Sequence, residues 1–243
     1  REVEPRITGY ASRALHTASD AQIDNRKLCK ALRERCEMRG VVVREQSPVE
    51  EILVEESSVR GVRSPEGRVG ADRVILCAGA YTPQIDGLPE PDRVPVRPVK
   101  GQALSVGLSS PPEINHVIRG TSTYCVPKGD GRMVIGSTME EEGFDTRVTA
   151  GGVLDLLHKA YEILPFVYEN ELLETWAGLR PASRDSLPIL GPSSHTDGLA
   201  FATGHYRNGI LLTPITVQLV SEWFRSGSIP ELMETFLPAR FQG

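Results

Sequence analysis

Gly204-His205-Tyr206-Arg207-Asn208-Gly209-Ile210-Leu211-Leu212 constrains this chain more tightly than any other stretch. The apolar run Leu199-Ala200-Phe201-Ala202 leads into it, and a helix-like run from Ile210 to Phe224 leads out. The pattern predicts a strand, a Gly-flanked turn and an immediate helix. Such a turn aims backbone N–H groups and the positive end of the helix dipole at whatever lies beyond the strand. Arg207 adds a cation beside them. A ligand held there is expected to be anionic or electron-rich.

Upstream, Asp24 can cap a helix from about Asn25 to Arg39, with Leu28, Ala31, Leu32 and Cys36 at helical spacing and Gly40 as its stop. A strand is expected at Val41-Val42-Val43. Val49, Ile52 and Val54, then Val59 and Val62, alternate around a Pro65-Glu66-Gly67 turn. The continuous run Val74-Ile75-Leu76-Cys77-Ala78-Gly79 predicts a strand buried on both faces, as parallel strands usually are. From Val94 onward the texture becomes antiparallel. Tyr124 to Pro127 and Met133 to Thr138 flank a loop that predicts a β-hairpin, and Tyr124 and Val126 share one face of their strand. Thr149 to Leu164 predicts an amphipathic helix; Glu174 to Leu179 and Leu187 to Leu190 look extended. The fold class is therefore α/β mixed with α+β. A discontinuous nucleotide-type domain receives a second, antiparallel β-sheet domain between its parts.

The 243 residues have room for one large domain or two small ones. A net charge of −5 and only 6% aromatics, with no basic patch, argue against nucleic-acid binding. The best apolar run, Gly209 to Val220, is too short to span a bilayer and is broken by Thr213, Pro214 and Thr216. Arg1 to Pro5 lacks a signal-peptide layout, so a cytoplasmic setting is expected. Cys29, Cys36, Cys77 and Cys125 form no CxxC pair and are expected to be buried or idle thiols. The five histidines show neither HxH nor HExxH spacing, so no metal is expected. No G-x-G-x-x-G follows a strand: Gly129-Asp130-Gly131 begins one, but Val134 stands where its third glycine belongs. Gly204 to Gly209 has the glycine spacing of a P-loop but continues with Ile210-Leu211 rather than Lys-Ser/Thr.

Several blocks taken together identify a family. They are Ala18-Ser19-Asp20-Ala21-Gln22-Ile23-Asp24-Asn25-Arg26, Val74 to Gly79, Tyr124-Cys125-Val126-Pro127 with Gly131 to Glu140, Trp176-Ala177-Gly178-Leu179-Arg180-Pro181 followed by Asp185, Pro188 and Gly191, and Gly204 to Leu212. With these, nearly the whole chain resembles the glycine oxidase branch of the D-amino-acid oxidase family of flavoproteins, including its thiamine-biosynthesis members. The family begins with a glycine-rich segment that holds the ADP part of FAD. This sequence starts after it, and Phe236 to Phe241 resembles the family's C-terminus. The chain therefore looks like a C-terminal fragment, expected to bind FAD weakly or not at all by itself. By the resemblance, residues 16–87 and 178–243 form a partial FAD-binding domain, and residues 1–15 and 88–177 a substrate-binding domain.

The resemblance implies oxidation of a small amine or amino acid (glycine, sarcosine or a D-amino acid) by FAD, with dioxygen reduced to peroxide and the imine hydrolysed to a keto acid. Arg180 would pin the substrate carboxylate, since a guanidinium can do so bidentately. Tyr124 and Met139 match pocket positions. Arg207 matches a second arginine near the flavin and pocket mouth. The N–H groups of Asn208, Gly209 and Ile210 would face the flavin's pyrimidine edge. Val49 would meet the adenine end of FAD, with Cys77, Ala78 and Gly79 along the ribityl chain and Gly178 and Gly204 also in cofactor contact. No catalytic acid or base is expected, His205 included, because the family reaction resembles direct hydride transfer. Glu174 to Asp185 holds no cysteine, so the flavin is expected to be non-covalent. Ser122 departs from the polar residue glycine oxidases often carry there. Two alternatives stay open: a dehydrogenase passing electrons to a quinone, and an inactive fragment or half of a split protein. A missing segment would leave apolar edges that invite self-association or completion by an N-terminal segment.

Overall fold

A computed structural model of the chain describes residues 3–8, 13–109 and 114–242. Helix α1 (Asn25–Glu37) precedes strands β1 (Glu51–Glu55), β2 (Ser58–Ser64), β3 (Gly67–Gly70) and β4 (Val74–Leu76). The long β5 (Val96–Gly107), the short β6 (Ile118–Arg119) and the hairpin β7 (Tyr124–Pro127) and β8 (Arg132–Gly136) follow. Then come α2 (Ala150–Ile163), β9 (Leu172–Ser183), β10 (Ile189–Pro192), β11 (Leu199–Thr203), α3 (Gly209–Ser226) and α4 (Glu231–Glu234). The chain forms two compact units, residues 1–34 with 100–179, and residues 35–99 with 180–243. Residues 16–34 thus group with the first unit and residues 88–99 with the second.

The first unit is built on a sheet of strand order β6-β7-β8-β5-β9. Alternation sends Cys125, Met133 and Ile135 to one face, where they are buried with Leu104 and Val106 against Leu156 and Ala160 of α2. Each such side chain contributes roughly 1.5–3 kcal/mol by leaving water. Helix α2 starts where the sequence places it because Thr149 caps it, its hydroxyl accepting from the Gly152 N–H at 3.1 Å. Helix α1 starts at Asn25 for a related reason: Asp24 accepts from the Lys27 N–H at 3.1 Å. Arg26 then grips Glu174 through two hydrogen bonds of 2.9 and 2.8 Å and lies 4.9 Å from the Trp176 ring centroid. These bonds hold a helix none of whose residues is buried among the described ones.

The second unit contains a three-stranded meander, β1-β2-β3, and a separate sheet of order β10-β11-β4. Within the latter β11 and β4 run parallel, with Leu199 opposite Val74, Ala200 opposite Ile75 and Phe201 opposite Leu76. Leu76, Leu199 and Phe201 enter a core shared with Ile52, Val59 and Ile189. A smaller core joins Leu190, Leu219 and Met233.

Two expectations fail here. Val41-Val42-Val43 forms no strand and is solvent-exposed, Val42 at 78%. A strand needs a neighbour for its N–H and C=O groups, and none of the described strands lies beside this segment. Strand β4 is also not buried on both faces: Ile75 is 38% exposed and Cys77 is exposed, while Leu76 between them is buried. It stands at the edge of its sheet, and only one of its faces meets the core. Cys29 and Cys36 are likewise exposed; only Cys125 of the four thiols is buried, which pushes its pKa up to about 12.

The turn between β9 and β10 is tied to the C-terminal segment by Arg240, which donates to the two Asp185 oxygens at 2.8 and 3.2 Å. That pairing, opposed by partial burial and aided by the Leu187 N–H, holds the Asp185 carboxyl at a pKa of about 2. A depressed carboxyl pKa stabilises the fold above its unfolded value of about 3.9, and the stabilisation is lost as pH falls toward 2. Asp185→Asn should cost about 1–2 kcal/mol in urea unfolding at pH 7, allowing for solvent screening of a partly exposed pair. The gap from the parent should close between pH 4 and pH 2; a gap independent of pH would rule out the ion pair as its source.

Candidate functional site

Because β4 and β11 are parallel, their carboxyl ends emerge together, and residues 77–79 arrive beside residues 203–209. Ligands of open α/β sheets bind at such ends. Here a hollow of about 580 Å³ opens, floored by Ile75, Cys77 and Gly79 of one strand and by Ala202 and Thr203 of the other. Helix α3 forms a wall through Thr213, Thr216, Val217 and Val220, and Pro181 and His205 also border the space. The surface it offers is largely apolar.

The start of α3 differs from that of α2. Asn208 provides no side-chain cap, and the first turn carries no acidic residue. Its first N–H groups therefore keep their positive field unspent on a side chain of their own helix. The turn before it is shaped by Gly204 at φ +73° and Tyr206 at φ +48°. His205 Nε2 lies 3.0 Å from Thr216 Oγ1, tying the turn to the second turn of the helix. Burial lowers the His205 pKa.

The end of β9 runs antiparallel beside this turn. Ala182 bridges His205, and the Tyr206 N–H donates to the Pro181 carbonyl at 2.9 Å. Beyond that contact the chain turns, with Tyr206 at φ +48° and the Asn208 N–H donating to the His205 carbonyl at 3.0 Å. Arg180 and Arg207, 27 positions apart in sequence, are thus each next in sequence to a residue of the Pro181–Tyr206 hydrogen bond, Arg180 half-buried and Arg207 exposed. Neither lines the hollow.

In the first unit Tyr124 is opposite Gly136 in the β7–β8 register. Its ring rests on that glycine: a Cβ built there would lie 2.5 Å from the Tyr124 hydroxyl oxygen. Met139 lies beyond the end of β8 and is 60% exposed. Strand β8 ends at Gly136, with Met133 and Ile135 pointing into the core.

Among the residues expected near a cofactor, Cys77, Gly79 and Gly209 border the hollow. Ala78 packs against the core instead. Gly204 is buried, where a Cβ would meet Ile189 Cγ1 at 3.0 Å. Val49 is exposed in the segment before β1, and Asn208 and Ile210 are exposed at the start of α3. Gly178 belongs to the first unit and has open space where a side chain would stand. The threonine and valine wall of α3 was not anticipated; its spacing of 213, 216, 217 and 220 is the helical signal that could have revealed it. Among the described residues no cluster of three or more His, Cys, Asp or Glu could hold a metal, and no helix is long and apolar enough to cross a membrane.

A parallel strand pair ending at an uncapped helix N-terminus, beside an apolar hollow, is the arrangement of a nucleotide-cofactor-binding α/β protein. The chain belongs to the DAO family of FAD-dependent oxidoreductases, whose family model matches residues 1–223. It is 38% identical over 226 residues to the bifunctional protein ThiO/ThiG of Trichormus variabilis, covering 92% of this chain and 34% of that protein. It is 34% identical over 243 residues to the hydrogen cyanide synthase subunit HcnC of Pseudomonas aeruginosa, covering 100% of this chain and 58% of that protein. The crystal structure of glycine oxidase from Geobacillus kaustophilus is similar at a TM-score of 0.89 and 32% identity, over 98% of this chain and 64% of that one. The chain thus spans about a third to three fifths of the curated relatives' length.

A lowered imidazole pKa means that the folded state disfavours protonated His205. Stability should be full above the ordinary imidazole value of about 6.5 and should decline as pH falls below it. In an NMR titration His205 should take up its proton below that value. His205→Gln should flatten the loss of thermal stability between pH 7 and pH 5. A midpoint above about 6.5 would contradict the buried setting.

Proposed function

We propose that this chain forms part of an FAD-dependent oxidase of a small amine or amino acid, with glycine, sarcosine or a D-amino acid as substrate, the imine as product, and dioxygen as the electron acceptor. The names of the relatives support the reaction class. The observation in this chain that carries the reading is the hydrogen bond from the Tyr206 N–H to the Pro181 carbonyl, which brings the segment after Arg180 to the turn that holds Arg207 at the uncapped start of α3.

The residues present fit FAD. The hollow is apolar enough for a flat heterocycle, Gly79 and Gly209 keep side chains out of its border, and the α3 N–H groups suit an electron-rich partner. When bound, FAD supplies the hydride acceptor. Everything else falls to the chain. Arg180 holds the substrate carboxylate in a fixed orientation, and Arg207 and the N–H groups of Asn208, Gly209 and Ile210 stabilise negative charge nearby. In the first unit Tyr124 and Met139 are the proposed substrate contacts. Val49, Cys77, Ala78, Gly79, Gly178 and Gly204 are the remaining proposed cofactor contacts. The flavin is held without a covalent bond, as no cysteine lies between Glu174 and Asp185. His205 is kept neutral by its burial and serves the turn rather than as a base.

The test is to take the chain as part of a protein of its relatives' length, incubate it with FAD, remove free cofactor by gel filtration, and assay glycine, sarcosine and D-alanine for peroxide under air. Retained visible flavin absorbance and peroxide from at least one amine are expected. Turnover seen only with a quinone acceptor would replace the oxidase by a dehydrogenase, and loss of all flavin from that longer protein would overturn the reading. Arg180→Ala should leave flavin content unchanged and raise KM by a factor corresponding to about 2–4 kcal/mol. An unchanged KM for carboxylate substrates would remove Arg180 from its role.

A further inference from the structure

Lys100 is 1% exposed, which is rare for a lysine and costly unless its charge is answered. Its ammonium lies 3.5 Å from Glu140 Oε2, and the two residues exchange both backbone hydrogen bonds, at 2.9 and 3.0 Å. Gln102, two residues along β5, donates to both Glu140 oxygens at 2.9 and 3.1 Å and to Thr149 Oγ1 at 3.1 Å. Its own carbonyl oxygen accepts from the Thr149 N–H at 2.8 Å. The Thr138 hydroxyl donates to Glu140 and accepts from the Gln102 N–H. Burial pushes the Glu140 pKa up, but the hydrogen bonds from Thr138 and Gln102 and the Lys100 charge outweigh it, and the carboxyl remains below its usual value.

The consequence is geometric. Thr138 and Glu140 are turned into the network, so Met139 between them is turned out. On the same backbone, two residues before Thr138, bare Gly136 supports the Tyr124 ring. A second glycine shapes the other side: a Cβ at Gly152 would lie 2.5 Å from Gln102 Nε2. The five residues 136–140 therefore contain Met139 and support the Tyr124 ring, and an ion pair with a buried lysine holds them in place.

We propose that Lys100 is a positioning residue that, through Glu140 and Gln102, fixes residues 136–140 and so sets where Met139 and Tyr124 meet the substrate. This rests on the reading of those two residues as substrate contacts. The chain has four methionines, so ¹³C-methyl methionine NMR can watch Met139 directly, with buried Met133 and Met233 as internal references. In Lys100→Leu the Met139 methyl resonance should shift and broaden while the two references stay. In the FAD-loaded protein KM for the amine should rise at least tenfold with kcat within threefold, and Lys100→Arg should recover most of the loss. Gly152→Ala displaces Gln102 without removing a charge and should show the same pattern, which covers a failure of Lys100→Leu to fold. An unmoved Met139 resonance in a folded variant, or a moved resonance with KM unchanged, overturns the proposal. If the parent oxidises none of the amines, the oxidase reading fails, and the Met139 resonance alone decides whether Lys100 positions this segment.

Discussion

The parallel pairing of β4 with β11 is the constraint on which the candidate site depends. Three register pairs join segments about 125 positions apart, and they hold because Leu76, Leu199 and Phe201 reach one buried core. A slip of one residue in β4 would turn Leu76 away from that core and bring half-exposed Ile75 in. The correct register delivers 77–79 and 203–209 to the same end of the sheet. Thr82 reinforces it, its hydroxyl donating to the Gly79 carbonyl at 2.7 Å and lying 3.2 Å from the Thr203 hydroxyl. The hollow, the uncapped helix start and the contact of the β9 end with the turn at 205–206 all lie where those strand ends emerge.

The two longest helices starting within these units begin in opposite ways. Thr149 caps α2, and the cap is itself held by Gln102, so the positive end of that helix is consumed internally. Asn208 leaves α3 without a side-chain cap. An uncapped start costs stability, roughly 1 kcal/mol on typical scales, unless another group answers those N–H donors. A helix that gives up this stabilisation beside a hollow is better suited to a ligand than one that does not. In the first unit a comparable choice is visible: a lysine is buried against a partly buried glutamate where an apolar side chain would be cheaper. An ion pair specifies one arrangement of its backbone, and that arrangement carries the residues matched to substrate contacts.

Much of the fold was legible before any coordinates. The α1 start at Asp24, the extended stretches of β1 and β2, the hairpin at 124–136, the α2 boundaries and the strand–turn–helix at 199–226 each rest on local signals: caps, turns and a period of two or 3.6. The failures share a cause. Val41-Val42-Val43 has strand composition but no described neighbour, and Ile75 and Cys77 have core composition but no described cover. Hydrophobicity states a demand for burial and cannot say what fulfils it. The α3 wall of the hollow was missed because threonine and valine at helical spacing look like ordinary packing.

By itself the sequence determined the element types, the turn that opens α3, and a family resemblance that the matches bear out, since each is written in contiguous residues. Only the tertiary structure decided that the end of β9 meets the turn that holds Arg207, that neither Arg180 nor Arg207 lines the hollow, and that Lys100 lies buried against Glu140. Those facts depend on register and on which face of a strand is covered. Both are set by contacts between residues far apart in the chain, which no local pattern encodes.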